Sequence, residues 1–219
     1  MRIFTVAFLA LGKRSLGFSP LSQQHRSLHS TALRMSKRVL VPIADGSEEI
    51  ETTCITDTLT RFGADVITAS VMPEGQLVCK MSRGIKIMAD MSIEDAAKKE
   101  FDLVVCPGGM PGAEHMRDSS TLVSILEKQK AAGKRYAAVC AAPAVVLASN
   151  GLLEEDGATC YPAPQFREKL INPIDDAVAV TGAVTTSQGP GTSLAFALEL
   201  GEQLFGKETR DKIQKEMLL

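Results

Sequence analysis

The sequence predicts an α/β fold in which helices cover both faces of a mostly parallel sheet. Two observations carry that expectation. Short apolar runs of strand length, bounded by glycine or proline, alternate along the chain with segments of helical periodicity. Several of these runs, Arg38 to Ala44, Asp102 to Cys106 and Arg135 to Val139 among them, contain almost no polar residue, as strands packed between two helix layers require. In such a sheet ligands bind beyond the carboxyl ends of the strands.

The first run ends at Asp45-Gly46-Ser47, and Glu48-Glu49-Ile50-Glu51 opens a helix whose acids crowd the favourable N-terminal turn. Ile50, Cys54, Leu59 and Phe62 recur near helical spacing, and Gly63 supplies the stop. Ala64 to Val71 is the second strand. Gln76 to Met81 and Ile85 to Ala89, joined by Ser82-Arg83-Gly84, predict a hairpin on the sheet edge. Ser92 and Asp95 have capping-box spacing and start another helix.

Asp102 to Cys106 runs into Pro107-Gly108-Gly109-Met110-Pro111-Gly112-Ala113, a turn where backbone can approach a ligand closely. Its glycine spacing differs from the dinucleotide fingerprint, so it reads as an anion-receiving backbone, not a nucleotide site. Asp118 or Ser119 caps a helix through Lys130, and the next strand delivers Cys140. Residues 143 to 149 predict the following helix. Beyond it come an extended piece at Ala158 to Pro162, a brief helix from Pro164 to Ile171, and strands at Ala177 to Thr181 and Val184 to Ser187. Helices at Ser193 to Phe205 and Lys207 to Leu218 close the chain.

Cys140 stands where a buried strand breaks into a helical turn, with Pro143 at a position that tolerates a missing N–H. A thiol there faces unpaired N–H groups, which favour a thiolate and lower its pKa below the free value of about 8.5. The competing reading is a small buried hydrophobe at a strand end. The domain's one histidine is His115, and His25 and His29 precede residue 35, so a Cys-His triad has little support. A protonated glutamate donating to sulfur would serve instead, whereas an ionised one would repel a thiolate.

Composition narrows the function. Five cysteines with no C-x-x-C pair and no closely spaced histidines argue against a disulfide framework or a zinc site. Lys and Arg do not cluster with aromatics and Trp is absent, which argues against a nucleic-acid surface. No apolar run reaches membrane-spanning length. Residues 1 to 35 carry five of the 24 basic residues and none of the 26 acids, leaving residues 36 to 219 as a domain of about -7. This Arg- and Ser-rich extension has the composition of a mitochondrial transit peptide. The run Ile3 to Leu11 would alternatively serve as a signal-peptide core for another organelle, and initiation at Met35 would give a cytoplasmic form.

Four segments together resemble a known family: Ala44-Asp45-Gly46-Ser47-Glu48-Glu49-Ile50-Glu51-Thr52, Cys106-Pro107-Gly108-Gly109, Val139-Cys140-Ala141-Ala142-Pro143 and Thr186-Ser187-Gln188-Gly189-Pro190-Gly191-Thr192. In order and spacing, from Lys37 to at least Gly206, they are similar to the PfpI superfamily, and within it to the DJ-one branch. The resemblance implies a flavodoxin-like three-layer sandwich and a homodimer. It implies a cofactor-free enzyme acting on reactive carbonyls, either converting methylglyoxal to lactate or removing early glycation adducts from proteins and nucleotides. By position Cys140 matches the oxidisable nucleophile and Glu51 its protonated partner. Gly109 and Ala141, beside Gly108, match the oxyanion pocket, and Arg61 and Arg83 an anion site near the dimer interface. Tyr161 stands where many animal members have histidine, and Gln188 where they have arginine. The resemblance also admits a redox-sensing chaperone switched by oxidation of Cys140. A PfpI-type peptidase is disfavoured because Ala141, not histidine, follows the nucleophile.

Overall fold

The computed structural model describes residues 36–153 and 157–219; the expectations placed on residues 1 to 35 lie outside the described residues. Seven strands form one sheet: β1 (Arg38–Ile43), β2 (Asp65–Ser70), β5 (Met91–Ser92), β6 (Leu103–Cys106), β7 (Arg135–Val139), β8 (Val178–Thr181) and β9 (Val184–Ser187). Their order is β5-β2-β1-β6-β7-β9-β8, and every pairing is parallel except β8 with β9. The five principal parallel strands, β2-β1-β6-β7-β9, follow the flavodoxin-like order, in which the strand direction of travel reverses between β1 and β6. The crevice of such a sheet opens at that reversal.

Alternation along each strand builds a core on each face. Val39, Val41 and Ile43 of β1 pack with Ile55 and Leu59 of α1 (Glu49–Arg61) and with Phe196 and Leu200 of α6 (Ser193–Phe205). Leu40 and Val104 face the other way, against Met116 of α3 (Gly112–Asp118), Leu122 and Leu126 of α4 (Ser120–Ala131), and Ile93 of α2 (Ile93–Ala96). Two further helices, α5 (Pro164–Arg167) and α7 (Lys207–Glu216), complete the three layers. Ser119, not Asp118, caps α4, its hydroxyl accepting the Leu122 N–H.

Of four local expectations, three are corrected and one, the helix capped at Ser92, is borne out. The hairpin β3 (Val78–Lys80) and β4 (Lys86–Met88) is a separate two-stranded sheet, and β5 pairs with β2 in its place. Hydrogen bonds from Gly46 N–H to the Lys80 carbonyl and from Ser82 N–H to the Ser47 carbonyl draw the hairpin over the loop after β1 instead. The helix at Ser92 is a single turn. The segment after Cys140 is a π-helical turn at Pro143–Leu147, in which the Ala148 N–H reaches back five residues to the Pro143 carbonyl, followed by a 3-10 turn at Ala148–Asn150. The fourth concerns α1. Its buried face is Glu51, Thr52, Ile55, Thr58 and Leu59, while Ile50 is 52% exposed and Cys54 is only half-buried. The helix is rotated so that a carboxyl faces inward and an isoleucine outward.

Candidate active site

The loops after β1 and β6 meet at the reversal point and interlock through glycines. Glu48 N–H donates to the Gly108 carbonyl at 3.0 Å. A Cβ on Gly109, whose φ is 83°, would strike the Gly46 carbonyl oxygen and the Glu48 nitrogen, and one on Gly112 would strike Ser47. At Gly108 a Cβ would stand 2.6 Å from the Cβ of Cys140. Only glycine permits the two loops and the cysteine to approach this closely.

Cys140 follows β7 in the left-handed region at φ 64°, an unfavourable conformation for a residue with a side chain, with a cost on the order of 1–3 kcal/mol. Hydrogen bonds hold it there from both sides. Its N–H donates to the Ser187 carbonyl at 3.0 Å, and its carbonyl accepts the Tyr161 N–H at 2.8 Å. The sharp turn from strand to helical turn is the elbow that the sequence predicts.

Glu51 comes from the first turn of α1 and is fully buried. Glu48 caps that helix, its Oε2 accepting the Glu51 N–H at 2.8 Å. The Glu51 Oε2 accepts the Gly108 N–H at 2.7 Å, while Oε1 is buried without a well-formed hydrogen bond and interacts with Cys140. A Cβ placed on Gly189 would lie 4.0 Å from both this oxygen and the Cys140 sulfur, which places both atoms beside that glycine. The backbone N–H groups of Gly109 and Ala141 lie near enough to the sulfur to favour its ionised form. The donors that resemblance gives to an oxyanion thus attend the thiol in the resting state.

Burial raises the Glu51 carboxyl to about 7, partly offset by the Gly108 N–H and the hydrogen bond with Cys140. Burial, followed by the charge of an ionised Glu51 and the hydrogen bond to it, pushes the Cys140 thiol up to about 12, against the pull of the Gly109 and Ala141 N–H groups. Burial, the largest of these causes, overrides the lowering expected from the helix start, and an ionised Glu51 adds to it. The two groups cannot both ionise near neutrality, so the pair holds at most one negative charge.

A stability prediction follows from this coupling. Between the ordinary carboxyl value of 4.5 and about 7 the folded pair binds more protons than the unfolded chain. Its contribution to stability is full below the lower value and is lost as pH rises through the upper one. Denaturant midpoints measured across this window are expected to fall more steeply for wild type than for Glu51→Gln. Equal slopes would show that Glu51 ionises normally.

A cavity of about 270 Å³ lies over Cys140. Gly109, Ala141 and Tyr161 line it as anticipated, joined by Glu48, Ser82, Met110, Phe166 and Pro190, which sequence reasoning did not place there. Glu48 reads only as a helix-start charge, and no periodicity marks Met110, in the turn after β6, or Phe166, in α5, as facing one site. Arg83 also lines the cavity, and its backbone N–H donates to Glu49 at the start of α1. Arg61 ends the same helix and pairs with Asp57 at 2.7 Å. Twelve residues of helical rise, about 18 Å, separate that end from the one Arg83 touches, so one chain does not unite the two arginines in an anion site. His115 lies in α3 and does not line the cavity. Burial likewise pushes Cys106 up to about 12 and Cys160 to about 11, but in neither does a buried carboxyl act on the sulfur as Glu51 does on Cys140. Among the described residues no group of three or more His, Cys, Asp or Glu side chains is placed to hold a metal ion, and no helix is long and apolar enough to cross a membrane.

Residues 37–203 match the model of the DJ-1/PfpI family. The chain belongs to the DJ-1/PfpI family. Within it the DJ-1 homologues are its relatives: it is 42% identical to Protein DJ-1 homolog A of Arabidopsis thaliana over 84% of this chain and 47% of that one. The chain thus spans about half the length of that relative. The structure of oxidized Toxoplasma gondii DJ-1 superposes with a TM-score of 0.80 at 43% identity, covering 84% of this chain and 98% of the other. A Caenorhabditis elegans relative named glutathione-independent glyoxalase DJR-1.2 is 33% identical over 86% of this chain and 98% of its own length. The α/β fold, with its seven-stranded, mostly parallel sheet flanked by helices, is that of DJ-1.

Proposed function

We propose that this protein is a cofactor-independent cysteine enzyme that converts methylglyoxal to lactate without glutathione, or removes the corresponding early adducts from proteins and nucleotides. The observation that carries this reading is the Cys140–Glu51 pair, one buried carboxyl against one thiol that receives two backbone N–H groups. With the charge on sulfur, three donors serve the anion: the N–H groups of Gly109 and Ala141 and the Glu51 hydroxyl at Oε1. The Gly108 N–H is meanwhile satisfied by the other oxygen of the neutral acid. With the charge on the carboxylate, two of those donors meet a neutral sulfur, a weak acceptor.

The thiolate adds to the aldehyde carbon, and the oxyanion that develops takes up the Gly109 and Ala141 N–H groups as the sulfur loses its charge. Glu51 gives its proton to that oxygen, and the carboxylate so formed takes the proton from the aldehyde carbon and returns it to the ketone carbon. The aldehyde carbon is oxidised to the acid level, the ketone carbon is reduced to a carbinol, and water releases the product from sulfur. No outside oxidant or reductant enters. The name of the nematode relative supports a glutathione-independent reaction of this type. A redox-sensing reading rests on the same sulfur, since the donors that serve a thiolate also suit sulfinate oxygens. Pairing of two chains through the outer face of α1, where exposed Ile50 and Ile85 lie beside Cys54, belongs to the proposal as well.

The test is lactate formation from methylglyoxal with no glutathione present. Wild type is expected to turn over and Cys140→Ser to lose at least ~10³-fold, the scale of removing a nucleophile. Equal rates would place the chemistry elsewhere.

A further inference from the structure

The cavity over Cys140 has room for roughly nine waters, more than a three-carbon dicarbonyl fills. Arg83 and Ser82 give it polar surface, while Met110, Tyr161, Phe166 and Pro190 contribute apolar surface. The rings of Tyr161 and Phe166 stand edge to face, with centroids 6.3 Å apart and planes at 88°. Tyr161 is 45% exposed and Met110 42%, so large apolar side chains remain uncovered directly beside the nucleophile.

That apolar wall is fixed relative to the sulfur. The Tyr161 N–H is bonded to the Cys140 carbonyl, and the Tyr161 carbonyl accepts the Ala163 N–H at 2.8 Å. An aromatic ring entering the cavity would meet the Tyr161 and Phe166 rings in offset or edge contact, with a thioether also at hand. The cost of ordering the wall is already met by the fold.

Resting on the carbonyl-enzyme reading above, we propose that the preferred substrates are 2-oxoaldehydes bearing an aromatic or comparably bulky apolar group, seated against Tyr161 and Phe166 with the aldehyde carbon at Cys140. Phenylglyoxal is the simplest such compound. It takes up one water to give mandelate: the sulfur–carbon bond forms and is hydrolysed, the aldehyde carbon is oxidised, the ketone carbon is reduced, and Glu51 carries the proton between them. Arg83 supplies a cation for the product carboxylate.

Two measurements test the assignment. In the first, kcat/KM for phenylglyoxal and methylglyoxal is compared in wild type, Tyr161→Ala and Tyr161→Phe. Wild type is expected to favour phenylglyoxal by about tenfold, the scale of a well-placed aromatic contact. Tyr161→Ala should erase that ratio mainly through the KM for phenylglyoxal, and Tyr161→Phe should retain it. In the second, mandelate and lactate are compared as protectants of Cys140 against iodoacetamide, which needs no turnover. Mandelate should protect at about tenfold lower concentration, and Tyr161→Ala should abolish the difference. Protection by mandelate with no turnover of either dicarbonyl would uphold the pocket and refute the glyoxalase reading. Equal protection by the two acids, equal kcat/KM for the two dicarbonyls, or a ratio unchanged in Tyr161→Ala would overturn the proposal.

Discussion

Glu51→Gln is expected to lower methylglyoxal turnover by at least ~10²-fold while leaving the protein folded, the loss typical of removing a positioned acid–base group. Glutamine keeps an acceptor for the Gly108 N–H and a donor for the sulfur, so the loop after β6 and the thiol keep their partners. What it lacks is a transferable proton. Glu51→Ala is expected to lose as much turnover and in addition to strand the buried Gly108 N–H, which costs about 1–3 kcal/mol. Steady-state kinetics and denaturant midpoints on the two variants separate the chemical role from the structural one. A Glu51→Gln enzyme with wild-type turnover would remove Glu51 from the reaction.

The second large effect belongs to Gly108. Alanine there would place a Cβ 2.6 Å from the Cys140 Cβ, 2.9 Å from the Val139 carbonyl oxygen and 3.0 Å from the Ala141 nitrogen. All three belong to the strand end and elbow, which their own hydrogen bonds hold in place. Gly108→Ala is therefore expected to destabilise by about 1–3 kcal/mol, lowering the melting temperature by roughly 2–4 °C per kcal/mol. Because relief of the clash must move the nucleophile, turnover should fall by about 10²-fold, as displacements near 1 Å can produce. Gly191, where an added Cβ meets nothing within 4 Å, is the control, and Gly191→Ala should stay within ~0.5 kcal/mol of wild type. A Gly108→Ala protein as stable and active as that control would contradict the close packing of the two loops.

The alternation of apolar runs with helical segments made the sheet legible in the sequence, and the glycine turn and cysteine elbow marked the strand ends that converge. Periodicity misjudged α1 because it assigns apolar residues to the core. Here the Glu51 carboxyl takes the inward position beside Cys140, and Ile50 and Cys54 turn outward as a result. Functional sites are where such local rules are expected to fail. The hairpin differs for another reason: its strands form ordinary antiparallel pairs, and they are drawn off the sheet by two backbone hydrogen bonds to the loop after β1 and by the Asp45 and Glu49 carboxylates, which accept the Lys80 and Arg83 N–H groups, contacts that no periodicity marks. Arg61 and Arg83, matched to one anion site by the family resemblance, lie at opposite ends of α1 within one chain. Met110 enters the cavity from the turn after β6 and Phe166 from α5, and only the folded chain brings them together with the cysteine.

The central claim is that Cys140 and Glu51 share one negative charge near neutral pH and that it resides on sulfur. Ultraviolet thiolate absorbance of Cys140 against pH, in wild type, Glu51→Gln and Glu51→Ala, measures this directly. Thiolate is predicted below the free-thiol value of about 8.5 in wild type and in Glu51→Gln, and at distinctly higher pH in Glu51→Ala, where the third donor is gone. A wild-type thiolate that appears only above about 8.5, or an unchanged value in Glu51→Ala, would place the charge on the carboxylate and contradict the mechanism.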